Sequence, residues 1–178
     1  MRFSKAGWLE LGMDLLRTKG AGAMTIEQLT AAAGKTRGSF YHHFADRDAF
    51  FADLMSHWRR HALEDRAAEL AKDGSPAGLR EFLRAEPFRM DHLLERALRQ
   101  LGVAEPVVRR GLDEVDRARV DGLALLIATL RPEVEDPRSE AFLQYAVVVG
   151  SQWLIDDLSD PRLPEIKRAG NRLFGLAE

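Results

Sequence analysis

The chain has no cysteine. Disulfides, thiolate metal sites and thiol redox sensing are therefore excluded. No apolar run approaches the roughly 20 residues that a membrane helix needs. The N-terminus lacks the charged-then-apolar layout of a secretory signal. A cytoplasmic protein with no membrane partner is expected. There is no internal repeat, no low-complexity tract and no sustained period-2 alternation of β-branched residues, so nothing calls for a sheet. Net charge is also scarce, at −2 over 178 residues.

That small net charge hides a split. Residues 1–60 hold nine Lys/Arg against six Asp/Glu, a balance of +3, and residues 61–178 hold seventeen against twenty-two, a balance of −5. A basic front and an acidic back suggest that only the first third meets a polyanion. Hydrophobic residues make up 46% and charged residues 30% of the chain, the composition of a globular protein rather than a disordered one. The length suits one large domain, or a small one fused to a larger one.

Apolar-periodic stretches alternate with Gly/Pro breaks, which predicts an all-α fold. The first helix is expected over about 4–19, with Trp8, Leu11 and Leu15 on one stripe, and Gly20-Ala21-Gly22 ends it. Thr25-Ile26-Glu27-Gln28 reads as a capping box, with Gln28 reaching back three residues. It opens a short helix that Gly34 stops. A second short helix follows over about 36–44, and Asp46 caps a long one running to about Lys72. After Gly74-Ser75-Pro76, helices are expected over 76–86, 88–101, 105–130, 138–158 and 162–175, bounded by Pro87, Gly102, Pro106, Pro132, Pro137, Pro161 and Pro164.

Two short helices joined by a tight Gly-containing turn, packed on a longer first helix, form a helix-turn-helix pattern. The second of them, Thr36-Arg37-Gly38-Ser39-Phe40-Tyr41-His42-His43-Phe44, is the informative one. At about 100° per residue, Phe40 and Phe44 point inward together. The opposite arc carries Gly38, Ser39, Tyr41 and His42, with Arg37 and His43 flanking it and Lys35 and Thr36 just before. A helix N-terminus attracts phosphate. Glycine allows close approach, Arg grips guanine through two hydrogen bonds, and Ser or Thr reaches bases or phosphates. Tyr and His add phosphate hydrogen bonds and thymine-methyl contact. A solvated face of an ordinary helix explains any one of these residues, but not the whole constellation at this spacing.

Residues 8–50 resemble the N-terminal DNA-binding domain of the TetR family of bacterial regulators. The resemblance rests on Thr25-Ile26, Ala33-Gly34, the run Lys35 to Phe44, and Arg47 where the family has Lys. It implies groove contacts from Arg37, Ser39 and Tyr41, and phosphate contacts from Thr25, Thr36, His43 and Arg47. There are departures. Lys35 replaces an apolar turn residue and is able to snorkel toward DNA. Thr30 stands where the family prefers Ala, and Leu11-Gly12 where two Ala are common. Only Arg2 and Lys5 are available as a basic arm.

Beyond residue 50 the family match is weak, and the layout is compatible with the family's helical ligand-binding and dimerisation domain. The expected division is a DNA-binding domain at 1–50 and a ligand-binding and dimerisation domain at 51–178. Asp116 and Arg119 can pair at i,i+3. The stretch Ala141 to Ile155 is apolar nearly all round, and such a helix needs cover on two sides. A second copy is the inferred cover, with Phe142, Tyr145, Val149, Trp153, Leu173 and Phe174 as interface candidates. A homodimer would read a palindrome in double-stranded DNA. Phe82, Phe88, His92, Leu123 and Trp153 are candidates to line a site for a small apolar effector, although plain core packing explains each of them as well. His57 and His61, at i,i+4 with Asp53 four residues earlier, have a spacing that can bind a metal. Such residues are more often solvated or paired with carboxylates, so no metal and no cofactor are expected.

Catalysis finds no support. Paired Glu-x-x-His motifs, a Gly-rich phosphate loop, a zinc-protease motif and a nucleophile elbow are all missing. The remaining rival is a helical module that binds a small ligand or protein and has lost DNA binding, and the intact residues 36–44 with Arg47 argue against it. The expectation is a ligand-responsive regulator, a repressor by family default, whose long fourth helix shifts when effector binds and so releases the operator.

Overall fold

A computed structural model describes residues 3–155 and 160–176 of the chain. Every regular element among the described residues is helical. In chain order these are α1 (Lys5–Lys19), a 3₁₀ turn (Ala21–Ala23), α2 (Ile26–Ala33), α3 (Arg37–Tyr41), α4 (Arg47–Arg59), a π-helical turn (Arg60–Glu64), α5 (Asp65–Leu70), α6 (Pro76–Arg89), α7 (His92–Ala104), α8 (Pro106–Leu130), α9 (Pro137–Leu154) and α10 (Leu163–Leu173).

Short polar side chains start most of them. Ser4, Thr25, Thr36, Asp46, Ser75, Asp91 and Asp136 each accept a hydrogen bond from the backbone N–H three residues on, filling donors that a helix start leaves without a partner. Three details depart from expectation. Gln28 does not complete the capping box; its Nε2 donates to the Gly22 carbonyl (3.4 Å) and ties α2 to the preceding turn. The helix after Asp46 is interrupted by the π turn at 60–64, an extra residue that needs no Gly or Pro and so leaves no mark on the periodicity. α6 runs through Pro87 and ends at Arg89, because the next start is set by Asp91, whose Oδ1 accepts from the Leu94 N–H at 3.1 Å. The predicted end of α9 at 158 lies outside the described residues, as does Arg2.

Packing divides the chain into two compact units, Met1–Glu64 with Asp91–Val115, and Asp65–Met90 with Asp116–Glu178. The first unit is organised around aromatic rings. Trp8 meets Phe40 edge-on at 5.5 Å, and Phe44 meets Phe50 edge-on at 5.0 Å, an arrangement worth about 0.5–1.5 kcal/mol per pair beyond area burial. Leu16, Leu29, Phe51, Leu54, Leu98 and Val108 complete the core. Gly12 sits where α1 crosses α4, and a Cβ there would lie 2.9 Å from Phe50 Cζ and 3.1 Å from Leu54 Cδ1. Thr30 is buried, and its hydroxyl donates to the Ile26 carbonyl at 2.7 Å, so this polar replacement is satisfied within its own helix.

The second unit has a smaller apolar core of Val120, Ile127 and Ala141, with Leu123, Ala124, Val134 and Tyr145 against it. Partly buried polar groups supplement it. Arg131 pairs with Glu140 and donates to the Phe174 carbonyl. Tyr145 donates to Asp116 Oδ1 at 2.6 Å and accepts from Arg119 Nη1 at 3.2 Å, so its phenol bridges Asp116 and Arg119. Burial pushes this phenol up to about 12.

α9 has two unlike arcs. Ala141, Gln144 and Gln152 are buried on one. Phe142, Leu143, Ala146, Val147, Gly150, Trp153 and Leu154 are exposed on the other, and at 100° per residue they fall within a single stripe about 140° wide. Leu154 is 80% exposed and Phe142 60%. On α10, Ile166 and Leu173 are likewise exposed.

Candidate nucleic-acid interface

Local chemistry builds the α2–turn–α3 segment. α2 ends at Gly34, whose φ of 60° and ψ of 37° are left-handed, the conformation that favours glycine. The Lys35 N–H returns to the Thr30 carbonyl at 2.9 Å, closing the helix end in the Schellman manner and sending the Lys35 side chain outward, where it is exposed. Thr36 then starts α3 by accepting from the Ser39 N–H at 3.3 Å. Phe40 and Phe44, both buried, anchor α3 from below. α3 is shorter than expected, ending at Tyr41, with His42 to Phe44 in the turn that follows.

The opposite face of α3 is open. Thr36, Arg37, Gly38 and His42 are exposed, Ser39 is half-buried, and Tyr41 is 45% exposed against Phe40. Arg37 reaches Glu27 of α2 at 3.3 Å, with both side chains mostly in solvent, and such a pair is worth only ~0–1 kcal/mol, so a phosphate or a base can displace it. The Thr25 and Thr36 hydroxyls accept helix N–H groups, which leaves each hydroxyl proton to donate outward. Gly38 is informative for what it lacks. A Cβ there would meet only Thr36 Oγ1 at 3.7 Å, an ordinary contact, so nothing inside the protein requires a glycine. The space above it is free for something that comes close from outside.

Two expected phosphate contacts have partners within the protein. His43 Nε2 lies 2.8 Å from the Phe3 carbonyl. Arg47 donates from Nη1 to Glu105 Oε1 at 2.6 Å and from Nη2 to the Met24 carbonyl at 3.2 Å, and its guanidinium lies 4.6 Å from the Phe51 ring centroid. Lys5, the described member of the expected basic arm, pairs with Asp53 at 2.6 Å. Glu105, the partner of Arg47, was not singled out by sequence, because a single Glu at a helix junction carries no signal for a partner 58 residues away.

The back-domain candidates do not share one place. Phe82 is half-buried, Leu123 packs on the Val120–Ile127–Ala141 core and Trp153 is 49% exposed, all in the second unit, while His92 belongs to the first. The Phe88 side chain lies outside the described residues. The second unit holds a recess of about 10 Å³ lined by Leu83, Ile127, Arg131, Gln144 and Phe174 among others, room for about one water. None of the four described candidates lines it. Of the interface candidates, Phe142, Trp153 and Leu173 are exposed, Val149 is half-buried at the stripe's edge, Tyr145 is turned inward and Phe174 lines the recess. Leu143, Val147 and Leu154, not among those candidates, are exposed on the same stripe.

A capped short helix, a left-handed glycine turn and a second short helix, whose polar face is lifted clear of an aromatic core, define a helix-turn-helix DNA-binding domain. Comparison with known proteins agrees. The profile of the tetR family of bacterial regulatory proteins matches residues 9–54. The transcriptional repressor AcnR of Corynebacterium efficiens is 39% identical over 72 residues, 39% of this chain and 34% of that protein, so the chain spans about a third of the length of that curated relative. Solved structures match along nearly all of the chain. A transcriptional regulator from Rhodococcus sp. Rha1 is 20% identical with a TM-score of 0.75, covering 97% of this chain and 95% of its own. One from Saccharomonospora viridis, solved in complex with choline, is 14% identical with a TM-score of 0.78, covering 96% and 95%. At these identities the structures establish the fold, which is all-α. Residues 9–54 thus carry a TetR-type DNA-binding domain.

Proposed function

We propose that this protein is a transcriptional repressor that binds a palindromic operator in double-stranded DNA as a homodimer and is released by a small-molecule effector. The observation that carries the reading is the open face of α3: Arg37, Ser39, Tyr41 and a Gly38 that the protein itself does not need. Arg37 and Ser39 read base edges, Tyr41 and His42 flank them, and Lys35, Thr25 and Thr36 hold phosphates. His43 and Arg47 act from inside, fixing the segment that presents the others. Residues 1–50 carry the DNA task, and 51–178 carry effector binding and dimerisation.

Dimerisation is supported by the bare stripe on α9 with Ile166 and Leu173 of α10. Contiguous apolar surface of this kind marks an interface, and a two-fold pair of recognition helices matches a palindrome. A small-ligand site occupies about 300–1,000 Å³, far more than the recess beside Phe174 offers, so that recess alone does not hold the effector. Phe82, Phe88, Leu123 and Trp153 are the candidate lining of the effector site. By linkage, operator and effector weaken each other equally.

The test is selection from random duplex DNA with the purified protein, alongside Arg37→Ala. An enriched palindrome that loses definition at one base per half-site in the variant is the expected result. No enrichment at low salt, where phosphate contacts are strong, refutes the reading.

A further inference from the structure

α1 and α4 bring together three side chains that the DNA interface does not use. Glu10 lies on α1, His57 in the last turn of α4, and His61 four residues on, inside the π turn. Glu10 Oε1 is 2.9 Å from His57 Nε2. One ligand atom from each of the three residues lies within 4.8 Å of the other two, and the two imidazole rings meet edge-on at 4.8 Å. The His57 side chain is only 12% exposed, while Glu10 is 65% exposed. One ligand is thus fixed by packing, and the other two stand on the exposed side of the cluster. Asp53, the carboxylate suggested by helical spacing, is taken up by Lys5. The carboxylate that arrives instead comes from another helix, which i,i+4 arithmetic cannot see.

We propose that Glu10, His57 and His61 form a site for a divalent first-row transition ion, Zn²⁺ being the natural occupant. Ligand atoms bound at about 2.0–2.2 Å around such an ion stand roughly 3–3.5 Å apart. The Glu10–His57 pair, at 2.9 Å, is already close to this separation, and His61 closes on it by side-chain rotation. Two imidazoles and one carboxylate favour zinc-type ions over Mg²⁺ and Ca²⁺, which want all-oxygen sets. Three protein ligands leave a position for water, which suits the exposed side of the cluster. The bound ion clips α1 to the end of α4, the two helices between which Gly12 is pinned. The simpler alternative is a His57–Glu10 hydrogen bond with His61 alongside.

The test uses the full chain without an affinity tag, titrated with Co²⁺ and followed by its visible absorption. One Co²⁺ per chain, displaced by Zn²⁺ but not by excess Mg²⁺, is expected. His61→Ala and Glu10→Gln, both at exposed positions, should each weaken binding by at least about ten-fold and abolish the rise in Tm that Zn²⁺ gives the unaltered protein. Metal-free melting is recorded for both variants, and His61→Gln replaces any that fails to fold. The proposal is overturned if the unaltered chain takes up no Co²⁺, or if the variants bind it as well as the unaltered chain does, which would place the ion elsewhere.

Discussion

Arg47 is the position where two readings part most sharply. As a phosphate contact it would need only its charge, and Lys would serve. As a structural cation it needs its shape, because one guanidinium spans Glu105, the Met24 carbonyl and the Phe51 face. The magnitudes favour shape. Glu105 is 15% exposed and Arg47 40%, so the pair sits between a surface bridge at ~0–1 kcal/mol and a buried one whose breaking costs ~3–5 kcal/mol. Arg47→Ala should therefore destabilise by about 2 kcal/mol, since hydrogen bonds to a charged partner are lost and Glu105 is left half-stranded. At ~2–4 °C per kcal/mol for a chain of this size, Tm should fall by about 4–8 °C. Arg47→Lys should lose more than half of this, because an ammonium cannot reproduce the fork or the stacking. The assay pairs thermal unfolding with the salt dependence of DNA binding. A direct phosphate contact contributes about 0.9 to the slope of log K against log salt, and Arg47→Ala should leave that slope unchanged. A variant with unaltered Tm and a slope reduced by about one would refute the structural assignment.

Other consequences separate stability from binding. Gly38→Ala adds a methyl group where there is room and should stabilise the fold by about 0.5–1 kcal/mol through helix propensity, while weakening operator binding; unchanged affinity by fluorescence anisotropy would mean that DNA does not approach there. Gly12→Ala makes the same exchange against the Phe50 ring and Leu54, where overpacking at ~1–3 kcal/mol outweighs the propensity gain, so its Tm should fall rather than rise. Val147→Glu, in the middle of the bare α9 stripe, should give monomers by light scattering at unchanged helicity; a dimer would move the interface elsewhere. Tyr145 carries its proton more tightly folded than unfolded, its phenol standing at about 12 against 10.0, so its contribution is complete below pH 10 and is lost as pH rises through about 12. The stability advantage of the unaltered protein over Tyr145→Phe should shrink across that window in denaturant unfolding.

What the sequence made legible were features written within a few residues of one another. The caps at Thr25 and Asp46, the stop at Gly34 and the inward pair Phe40 and Phe44 all follow from spacing and side-chain chemistry, and each is present. The bare stripe of α9 was legible in part, because hydrophobicity all round says that cover is missing but not on which arc. Illegible were partnerships across the chain. Arg47 finds Glu105, His57 finds Glu10, and Tyr145 finds Asp116, each across many residues and none marked by a motif. This asymmetry has a physical source. A cap is chosen by backbone geometry that the local sequence determines, whereas a long-range ion pair is chosen by which elements the core happens to juxtapose. It bears on Arg47 as well: its position in the motif suggests a cation near DNA, and the junction of α7 and α8 places Glu105 beside it, a partner that the motif does not announce.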